Sequence, residues 1–169
     1  MRTYKKTVFS GRLLKVYTSR KKLPQGKTGY FEEVEHPGAA LIVPFVGNKI
    51  LFLRQYRGVI GKYIWELPAG KLDSKETPYS CAKRELLEET GYTGKNIKKV
   101  GFIYTTPGFC DEKIHIFRAD CFEKKKTNKE KDEVIKVTLL DKKRIKELFR
   151  KGRITDSKTI AGLSFLGIV

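Results

Sequence analysis

Short stretches of alternating or β-rich residues lie near the start of the chain and predict strands within residues 2–9, 11–18 and 28–36. The segment 38–57 then carries two apolar runs on either side of Gly47 and Asn48. This pair suits positive φ angles and predicts a two-residue hairpin turn. Because both runs are almost continuously apolar, we expect the two arms to be buried central strands.

Helical spacing of apolar residues first appears after residue 77. A proline and a glycine interrupt the regular pattern over residues 64–76, which are therefore predicted as a loop. Thr77 and Pro78 are typical of an N-cap and a first helical position. Gly91 is typical of a helix C-terminus, so a helix is predicted from Pro78 up to Gly91.

The second half of the chain continues with strands and two further helices. Strands are predicted near residues 98–106, 113–122 and 134–139. The charged run from Glu123 to Glu133 is predicted as an exposed loop. Asp141 and Gly152 mark the ends of one helix, and the last helix begins near Asp156. Many strands with a few outer helices predict a mixed α/β or α+β layer architecture.

The composition is that of a single globular domain. The chain has 169 residues, 40% of them hydrophobic, which excludes a disordered protein. No apolar run is long enough for a membrane span, and the N-terminus has no signal-peptide core. Its three cysteines are unclustered and fit neither a disulfide framework nor a metal-binding spacing. We therefore expect a reduced, cytoplasmic protein that does not contact membranes.

The net charge of +17 is high for a protein of this size. It is compatible with nucleic-acid binding, with the lysine-rich surface common in hyperthermophiles, or with attraction of an anionic small substrate. The basic residues are spread along the chain and do not form one stripe with interleaved aromatics. This distribution favours the second interpretation without excluding nucleic acid.

Three glutamates, Glu85, Glu88 and Glu89, fall close together on the predicted helix. Like charges three or four residues apart destabilise a helix by about 0.2–0.5 kcal/mol per pair. The cluster is therefore either a solvated face or a site for a cation. Mg²⁺ prefers oxygen ligands and binds a few carboxylates together with substrate phosphates. Arg84 would offset part of the charge, and Glu76 would add a carboxylate from the preceding loop.

The wider segment, residues 70–92, resembles the Nudix box. Gly70 is followed after five residues by Glu76, and after seven more by the run RELLEETGY. Every specified position of the box is matched. The resemblance implies a mixed β-sheet between helices and a loop–helix–loop that binds Mg²⁺ or Mn²⁺. It also implies hydrolysis of a nucleoside diphosphate linked to another group.

Segments outside the box resemble ADP-ribose pyrophosphatases along nearly the whole chain. They include TVFSGRLLKVY, RQYR, WELPAG and GRITDSKTIAGLSFL, and Pro107 lies 16 residues beyond Gly91. The resemblance implies hydrolysis of ADP-ribose to AMP and ribose 5-phosphate. It also implies a homodimer in which residues 1–38 form an N-terminal antiparallel strand region for dimerisation and the adenine site. Residues 39–169 would then form the hydrolase domain.

The resemblance also assigns roles to individual residues. The implied metal ligands are the Ala69 carbonyl and the side chains of Glu85, Glu88, Glu89 and Glu133. Glu88 and Arg84 would belong to the catalytic group. The implied substrate-binding residues are Arg54, Arg57, Pro107, Gly108 and Glu112, with Arg57 on phosphate and Glu112 on the terminal ribose.

Two of these assignments carry alternatives. Lys131 occupies a position that is often acidic in relatives, so the catalytic base is either Glu133 alone or Glu133 supported by Glu130. Phe31 stands where relatives often carry a basic residue near the adenine. Its ring either stacks on the base or is a buried strand residue.

The rival functions follow from the same features. A Nudix enzyme acting on another nucleoside diphosphate sugar would share the box. A basic RNA-binding or RNA-end-processing protein would account for the charge. A protein that only binds RNA, however, would not need the cluster of Glu85, Glu88 and Glu89.

Overall fold

A computed structural model describes residues 4–11, 13–124 and 135–169. The described residues form ten strands: β1 (Tyr4–Ser10), β2 (Lys15–Lys22), β3 (Thr28–Glu35), β4 (Ala39–Val46), β5 (Lys49–Arg57), β6 (Lys62–Glu66), β7 (Ala69–Lys71), β8 (Tyr92–Tyr104), β9 (Lys113–Lys124) and β10 (Ile135–Asp141). The helices are α1 (Pro78–Thr90), α2 (Lys142–Arg150) and α3 (Ser157–Phe165), with a short 3₁₀ helix at Gly58–Ile60.

The three N-terminal strands form a separate antiparallel sheet in the order β1-β2-β3. This confirms the predicted N-terminal strand region. Strand β2 begins later than predicted, at Lys15, because the Gly11 amide bonds to the Leu14 carbonyl at 2.8 Å and turns the chain. Every residue of β1 is exposed, so this sheet has little core of its own within one chain.

The central sheet is mixed, as predicted. Its strands run in the order β10-β5-β4-β9-β8, with β6 paired to β5 and β7 paired to β4. Strands β4 and β9 are parallel, and the other pairs are antiparallel. Gly47 has a φ of 57° in the two-residue turn between β4 and β5. Beyond the Phe45–Ile50 pair the two arms separate, because β4 pairs with β7 and β9.

Helices cover both faces of this sheet, which explains the continuous apolar run in β4. Ala40 and Ile42 pack in a cluster with buried residues of α1. Leu41 and Val43 point to the opposite face and join the cluster that contains buried residues of α2 and α3. The expectation of buried central strands is confirmed, and α1 is fixed against one face of the sheet.

Two further boundaries predicted from the sequence are wrong. Residues 64–76 are not all loop, since β6 continues to Glu66 and β7 follows at Ala69. The Pro68 carbonyl in the bend between them accepts a hydrogen bond from the Ile42 amide of β4 at 2.9 Å, so the bend is bonded to the sheet through an acceptor and needs no donor from the proline. Strand β8 begins already at Tyr92, and its polar residues and register shifts hide it from the hydrophobic pattern.

The predicted helix caps are confirmed. The Thr77 side chain accepts a hydrogen bond from the Ser80 amide at 3.1 Å, and Gly91 ends α1 with a φ of 78°. The carboxylates of Asp141 and Asp156 cap α2 and α3 in the same way. Each cap supplies an acceptor for an amide that has no partner within its helix.

In the described part of the chain, no helix is both long and apolar enough to cross a lipid bilayer. All three cysteines, at positions 81, 110 and 121, are free thiols. The prediction of a chain without a disulfide framework is therefore confirmed.

Replacing Thr77 with alanine is expected to lower the free energy of unfolding by about 1 kcal/mol, because the Ser80 amide loses its acceptor. Urea denaturation followed by circular dichroism would measure the change. Thr77→Ser is the matched control and should keep most of the stability. Equal losses in both variants would show that the hydroxyl is not the stabilising group.

Candidate active site

One guanidinium group holds three of the carboxylates singled out in the sequence. Arg84 donates two hydrogen bonds to Glu76, both at 2.9 Å. Its Nη1 donates to Glu85 Oε1 at 2.7 Å and to Glu88 Oε2 at 3.0 Å. Repulsion between the carboxylates is thus offset by a shared cation, and their oxygens are kept close together.

The short strand β7 lies directly against this cluster. Glu89, only 4% exposed, accepts a hydrogen bond from the Ala69 amide at 3.0 Å. The Glu85 carboxylate fills the space beside Gly70, where an added Cβ would lie 1.8 Å from Oε1. The Cys81 thiol contacts the Gly70 carbonyl at 3.5 Å. Glycine is therefore required for helix and strand to approach this closely.

The cluster shifts the pKa of its members in opposite directions. Hydrogen bonds from Arg84 lower the pKa of Glu76 to about 2, and the same carboxylate raises the pKa of Arg84. Burial, with Glu76 and Glu85 nearby, raises the pKa of the Cys81 thiol to about 12. The carboxylate and guanidinium stay charged near neutral pH, and the thiol stays neutral and cannot act as a nucleophile.

The donor set fits a hard divalent cation. Carboxylate oxygens of Glu85, Glu88 and Glu89 and the backbone carbonyl of Ala69 are the ligand type that Mg²⁺ and Mn²⁺ prefer. The described residues include no preformed group of three acidic, histidine or cysteine side chains around an ion position. Mg²⁺ usually takes one or two carboxylates with water and substrate phosphates, so a closed protein cage is not required.

A cleft beside β7 collects several predicted site residues. We call it the Ala69 cleft. Its lining includes Arg57, Ala69, Gly70, Glu112, Ser157 and Lys158. Three residues far apart in sequence, Arg57, Ala69 and Glu112, therefore meet in one place, and Gly70, which lines this cleft, also adjoins the Glu85 carboxylate.

A second cleft contains the remaining predicted substrate residues except Arg54. We call it the Phe31 cleft, and it is lined by Phe31, Pro107 and Gly108 with Lys5, Lys21 and Asp111 among others. The segment 105–112 contributes to both clefts. Two backbone hydrogen bonds join this segment to β3. The Val34 amide donates to the Phe109 carbonyl at 2.7 Å, and the Val34 carbonyl accepts a hydrogen bond from the Asp111 amide at 3.3 Å.

The two arginines of the RQYR segment have different surroundings. Arg57 forms a bidentate ion pair with Glu66, with distances of 2.6 and 2.7 Å. The Arg54 guanidinium lies 5.2 Å from the centre of the Trp65 ring and is not among the residues that line either cleft. The predicted substrate role of Arg54 stays a prediction, and the structure does not bring it together with Arg57.

Several residues in or next to the cleft were not identified from the sequence. Glu66, which pairs with Arg57, also forms an ion pair with Lys158 at 2.6 Å, and both residues lie in segments that carry the family resemblance, WELPAG and TDSKT. His36 is another such residue, and its Nδ1 accepts a hydrogen bond from the Gly38 amide at 3.1 Å. Its Nε2 also lies 3.6 Å from the Glu112 carboxylate in the Ala69 cleft.

The two candidates for the catalytic base, Glu130 and Glu133, lie outside the described residues. The predicted role of Glu133 as a metal ligand therefore also stays a prediction. The candidate site assembled here therefore consists of the carboxylate cluster, the Ala69 cleft and the Phe31 cleft.

Replacing Glu76 with glutamine is expected to lower the free energy of unfolding at pH 7 by about 1–3 kcal/mol, because charge-assisted hydrogen bonds to Arg84 are weakened. The folded-state pKa of about 2 lies below the ordinary 4.5. The stabilisation is therefore fully present above pH 4.5 and is lost as the pH falls toward 2. Urea denaturation in EDTA across this pH range would measure it.

Glu147→Gln is the matched control. The pKa of Glu147 is also lowered to about 2, by hydrogen bonds from Lys151 and Arg144, but this carboxylate lies at the surface. Solvent screening should make its loss much smaller. A loss as large as that of Glu76→Gln would contradict the central place given to the Arg84 cluster.

Comparison with known proteins gives a consistent assignment. The NUDIX domain family matches residues 35–162. The chain is 38% identical over 168 residues to the ADP-ribose pyrophosphatase of Bacillus subtilis (strain 168), covering 96% of this chain and 89% of that protein. It is also 38% identical over 162 residues to the methanol dehydrogenase activator of Bacillus methanolicus, covering 94% and 88%.

A solved structure agrees with the fold. The crystal structure of an ADP compounds hydrolase superposes with a TM-score of 0.82, covering 99% of this chain and 93% of that one. At 19% sequence identity this likeness supports the fold and not the substrate. The matching family, the relatives that align over nearly the whole chain and the intact box agree: the chain belongs to the NUDIX domain family.

Proposed function

We propose that this protein is a Mg²⁺-dependent ADP-ribose pyrophosphatase that produces AMP and ribose 5-phosphate. The observation that carries the proposal is that β7 adjoins both the carboxylates of α1 and a cleft that contains Arg57. Glu85 and Glu89 contact β7 from α1. Arg57 lines the same cleft as Ala69 and Gly70 of β7. A diphosphate in that cleft would lie near both a cation and the proposed metal ligands.

The residues of the Ala69 cleft suit a ribosyl diphosphate. Arg57 would donate to phosphate oxygens, as guanidinium groups commonly do. Glu112 is held by the Thr105 hydroxyl at 2.9 Å, and its carboxylate would accept hydrogen bonds from hydroxyls of the terminal ribose. These two groups would fix the diphosphate and the sugar relative to each other.

The carboxylate cluster would hold the metal. Glu85, Glu88, Glu89 and the Ala69 carbonyl are the proposed ligands, and bound Mg²⁺ would supply charge neutralisation and an activated water. Arg84 keeps three glutamates close before any ion arrives. For the base that accepts the water proton we propose Glu133, alone or with Glu130.

The Phe31 cleft is the proposed adenine site. Phe31 is half-buried and lines this cleft with Pro107 and Gly108, which supports stacking on the base rather than a purely structural role. The Lys21 ammonium lies 5.7 Å from the centre of the same ring. The base would then lie beside residues 105–112, with the diphosphate in the adjacent Ala69 cleft.

We also propose that the N-terminal region, residues 1–38, forms a homodimer interface and completes the adenine site. The support is the exposed apolar surface of this sheet, where Tyr4 is 61%, Val8 61% and Tyr30 70% exposed. Residues 39–169 would form the hydrolase domain. The free thiols are in keeping with a reducing cytoplasm.

Another nucleoside diphosphate sugar is the alternative substrate class. The same percentage identity links this chain to an ADP-ribose pyrophosphatase and to a protein named for activation of a dehydrogenase, so identity alone does not fix the substrate. An RNA-directed function has the net charge of +17 as its only support. The diphosphate cleft accounts for part of that positive charge through an anionic substrate.

Phosphorus NMR in ¹⁸O-labelled water is the experiment that tests the proposed reaction. ADP-ribose with Mg²⁺ should give AMP and ribose 5-phosphate, and the isotope shift identifies the phosphorus that receives the water oxygen. Glu89→Gln should lower kcat by at least about 100-fold, because a charge that acts on the transition state is removed. Glu147→Gln should retain normal turnover, because Glu147 pairs with Lys151 and does not line the cleft.

Absence of ADP-ribose turnover by the wild type, with turnover of another nucleoside diphosphate sugar, would favour the alternative. Turnover that survives Glu89→Gln would contradict the assignment of the carboxylate cluster. Turnover of capped or triphosphorylated RNA ends alone would support the RNA-directed function.

Metal removal gives a separate prediction. Excess EDTA should abolish turnover, and added Mg²⁺ or Mn²⁺ should restore it, because the donor set consists of oxygens. The unfolding temperature should change by only a few degrees at most, about the effect of 1 kcal/mol, because Arg84 already binds three carboxylates without the ion. Calorimetry and the NMR assay on the same sample would measure both, and full turnover in EDTA would disprove metal dependence.

A further inference from the structure

We infer that Lys158 is a second cation for the substrate diphosphate, and that Glu66 and Asp156 are positioning residues that hold Lys158 and Arg57 side by side in the Ala69 cleft. This inference rests on the proposed function, because it concerns the same diphosphate. It adds a residue from the C-terminal helix α3 to a site otherwise built from β5, β7, α1 and the 105–112 segment.

A single buried carboxylate joins the two cations. Glu66 is 1% exposed, and its Oε1 and Oε2 accept hydrogen bonds from Arg57 at 2.6 and 2.7 Å. Its Oε2 also accepts a hydrogen bond from the Lys158 ammonium at 2.6 Å. Arg57 and Lys158 are therefore held side by side on one carboxylate oxygen, and both line the same cleft.

The position of Lys158 is fixed from α3 as well. Asp156 accepts a hydrogen bond from the Lys158 ammonium at 2.8 Å while its other oxygen caps the amide of Thr159. The Thr159 hydroxyl accepts the Leu67 amide at 2.9 Å, next to Glu66 in the chain. The start of α3 is thus tied to the end of β6, and the lysine has little freedom to leave the cleft.

The Glu66 carboxylate stays ionised. Burial by itself would raise the pKa of Glu66, but hydrogen bonds from Arg57 and the charge of Lys158 lower it overall. A buried carboxylate needs such partners, because an unpaired charge in the interior is strongly destabilising. Arg57 and Lys158 therefore remain in place across the neutral pH range.

Both cations keep donors for a ligand. An ammonium has three N–H donors, and two of those on Lys158 are used by Glu66 and Asp156. Arg57 uses Nε and Nη2 on Glu66, and the described residues provide no acceptor for its Nη1. Its side chain is 41% exposed and that of Lys158 is 17% exposed. Two neighbouring cations with remaining donors match two neighbouring phosphates.

A purely structural role for Lys158 is the competing explanation. In that case the lysine only neutralises Glu66, and its loss would lower stability without changing substrate affinity. The two explanations predict different values of KM and of diphosphate affinity for a variant that lacks Lys158. They also predict different effects of arginine at this position.

Lys158→Met tests the inference. It should raise KM for ADP-ribose by about 10- to 100-fold, the effect of losing a charge-assisted hydrogen bond, with kcat within about threefold of wild type. Lys158→Arg should recover at least part of the affinity. Lys151→Met is the matched control, because Lys151 forms an ion pair at 2.8 Å with the surface residue Glu147 and does not line the cleft.

A second readout does not depend on turnover. Calorimetric titration of the metal-free protein with inorganic pyrophosphate should show about tenfold weaker binding by Lys158→Met than by wild type or Lys151→Met. Urea denaturation of each variant would establish that the measurements concern folded protein. An unchanged KM and unchanged pyrophosphate affinity in a folded Lys158→Met protein would overturn the inference.

The outcomes separate this inference from the proposed function. A wild type that does not hydrolyse ADP-ribose would overturn the proposed substrate, and the pyrophosphate titration would still decide the role of Lys158. Normal hydrolysis with an unaffected Lys158→Met variant would leave the proposed function intact and disprove the second cation. Weaker binding restored by arginine would support it.

Discussion

The shared hydrogen bonding of Arg84 is the interaction on which the candidate site depends. Carboxylates three and four residues apart on one helix repel each other, and the metal that would relieve this repulsion is not a permanent part of the chain. Arg84 contacts Glu76, Glu85 and Glu88 simultaneously, so the protein has its own cation for the metal-free state. The same contacts join the loop before α1 to the helix itself.

A second constraint concerns how closely α1 approaches β7. The Glu85 carboxylate occupies the volume of a side chain at Gly70, and the buried Glu89 receives the Ala69 amide. The backbone of this strand is thereby held against the carboxylate cluster, and it also lines the Ala69 cleft. The two cations of the cleft are held in a similar way. The buried Glu66 carboxylate binds both Arg57 and Lys158, just as the Arg84 guanidinium binds three carboxylates.

Much of this arrangement is predictable from sequence, for identifiable reasons. The caps of α1 and the spacing of its glutamates are local properties, and local hydrogen-bond geometry decides them. The separation of the β4 and β5 arms is not local, because it depends on the parallel pairing of β4 with the distant strand β9. The strand at Ala69–Lys71 was missed for a similar reason, since its pairing partner, not its composition, makes it a strand.

The same distinction applies to the site residues. The carboxylates of α1 share a regular spacing, whereas Glu66 and Lys158 are 92 residues apart and have no common pattern. Lys158 is one lysine in a chain with 36 basic residues, so only the tertiary structure distinguishes it from those on the surface. Sequence periodicity cannot identify single residues that are distant in the chain and meet only in the folded protein.

The attachment of residues 105–112 to β3 has a consequence for how a ligand is released. The segment borders both clefts, so a molecule long enough to reach from one to the other is bound at two points at once. Two linked contacts reinforce each other through a high effective concentration, and this advantage ends when the link is cut. Hydrolysis of the diphosphate would divide the ligand into two fragments, each bound by fewer contacts than the intact molecule, so cleavage itself would promote product departure.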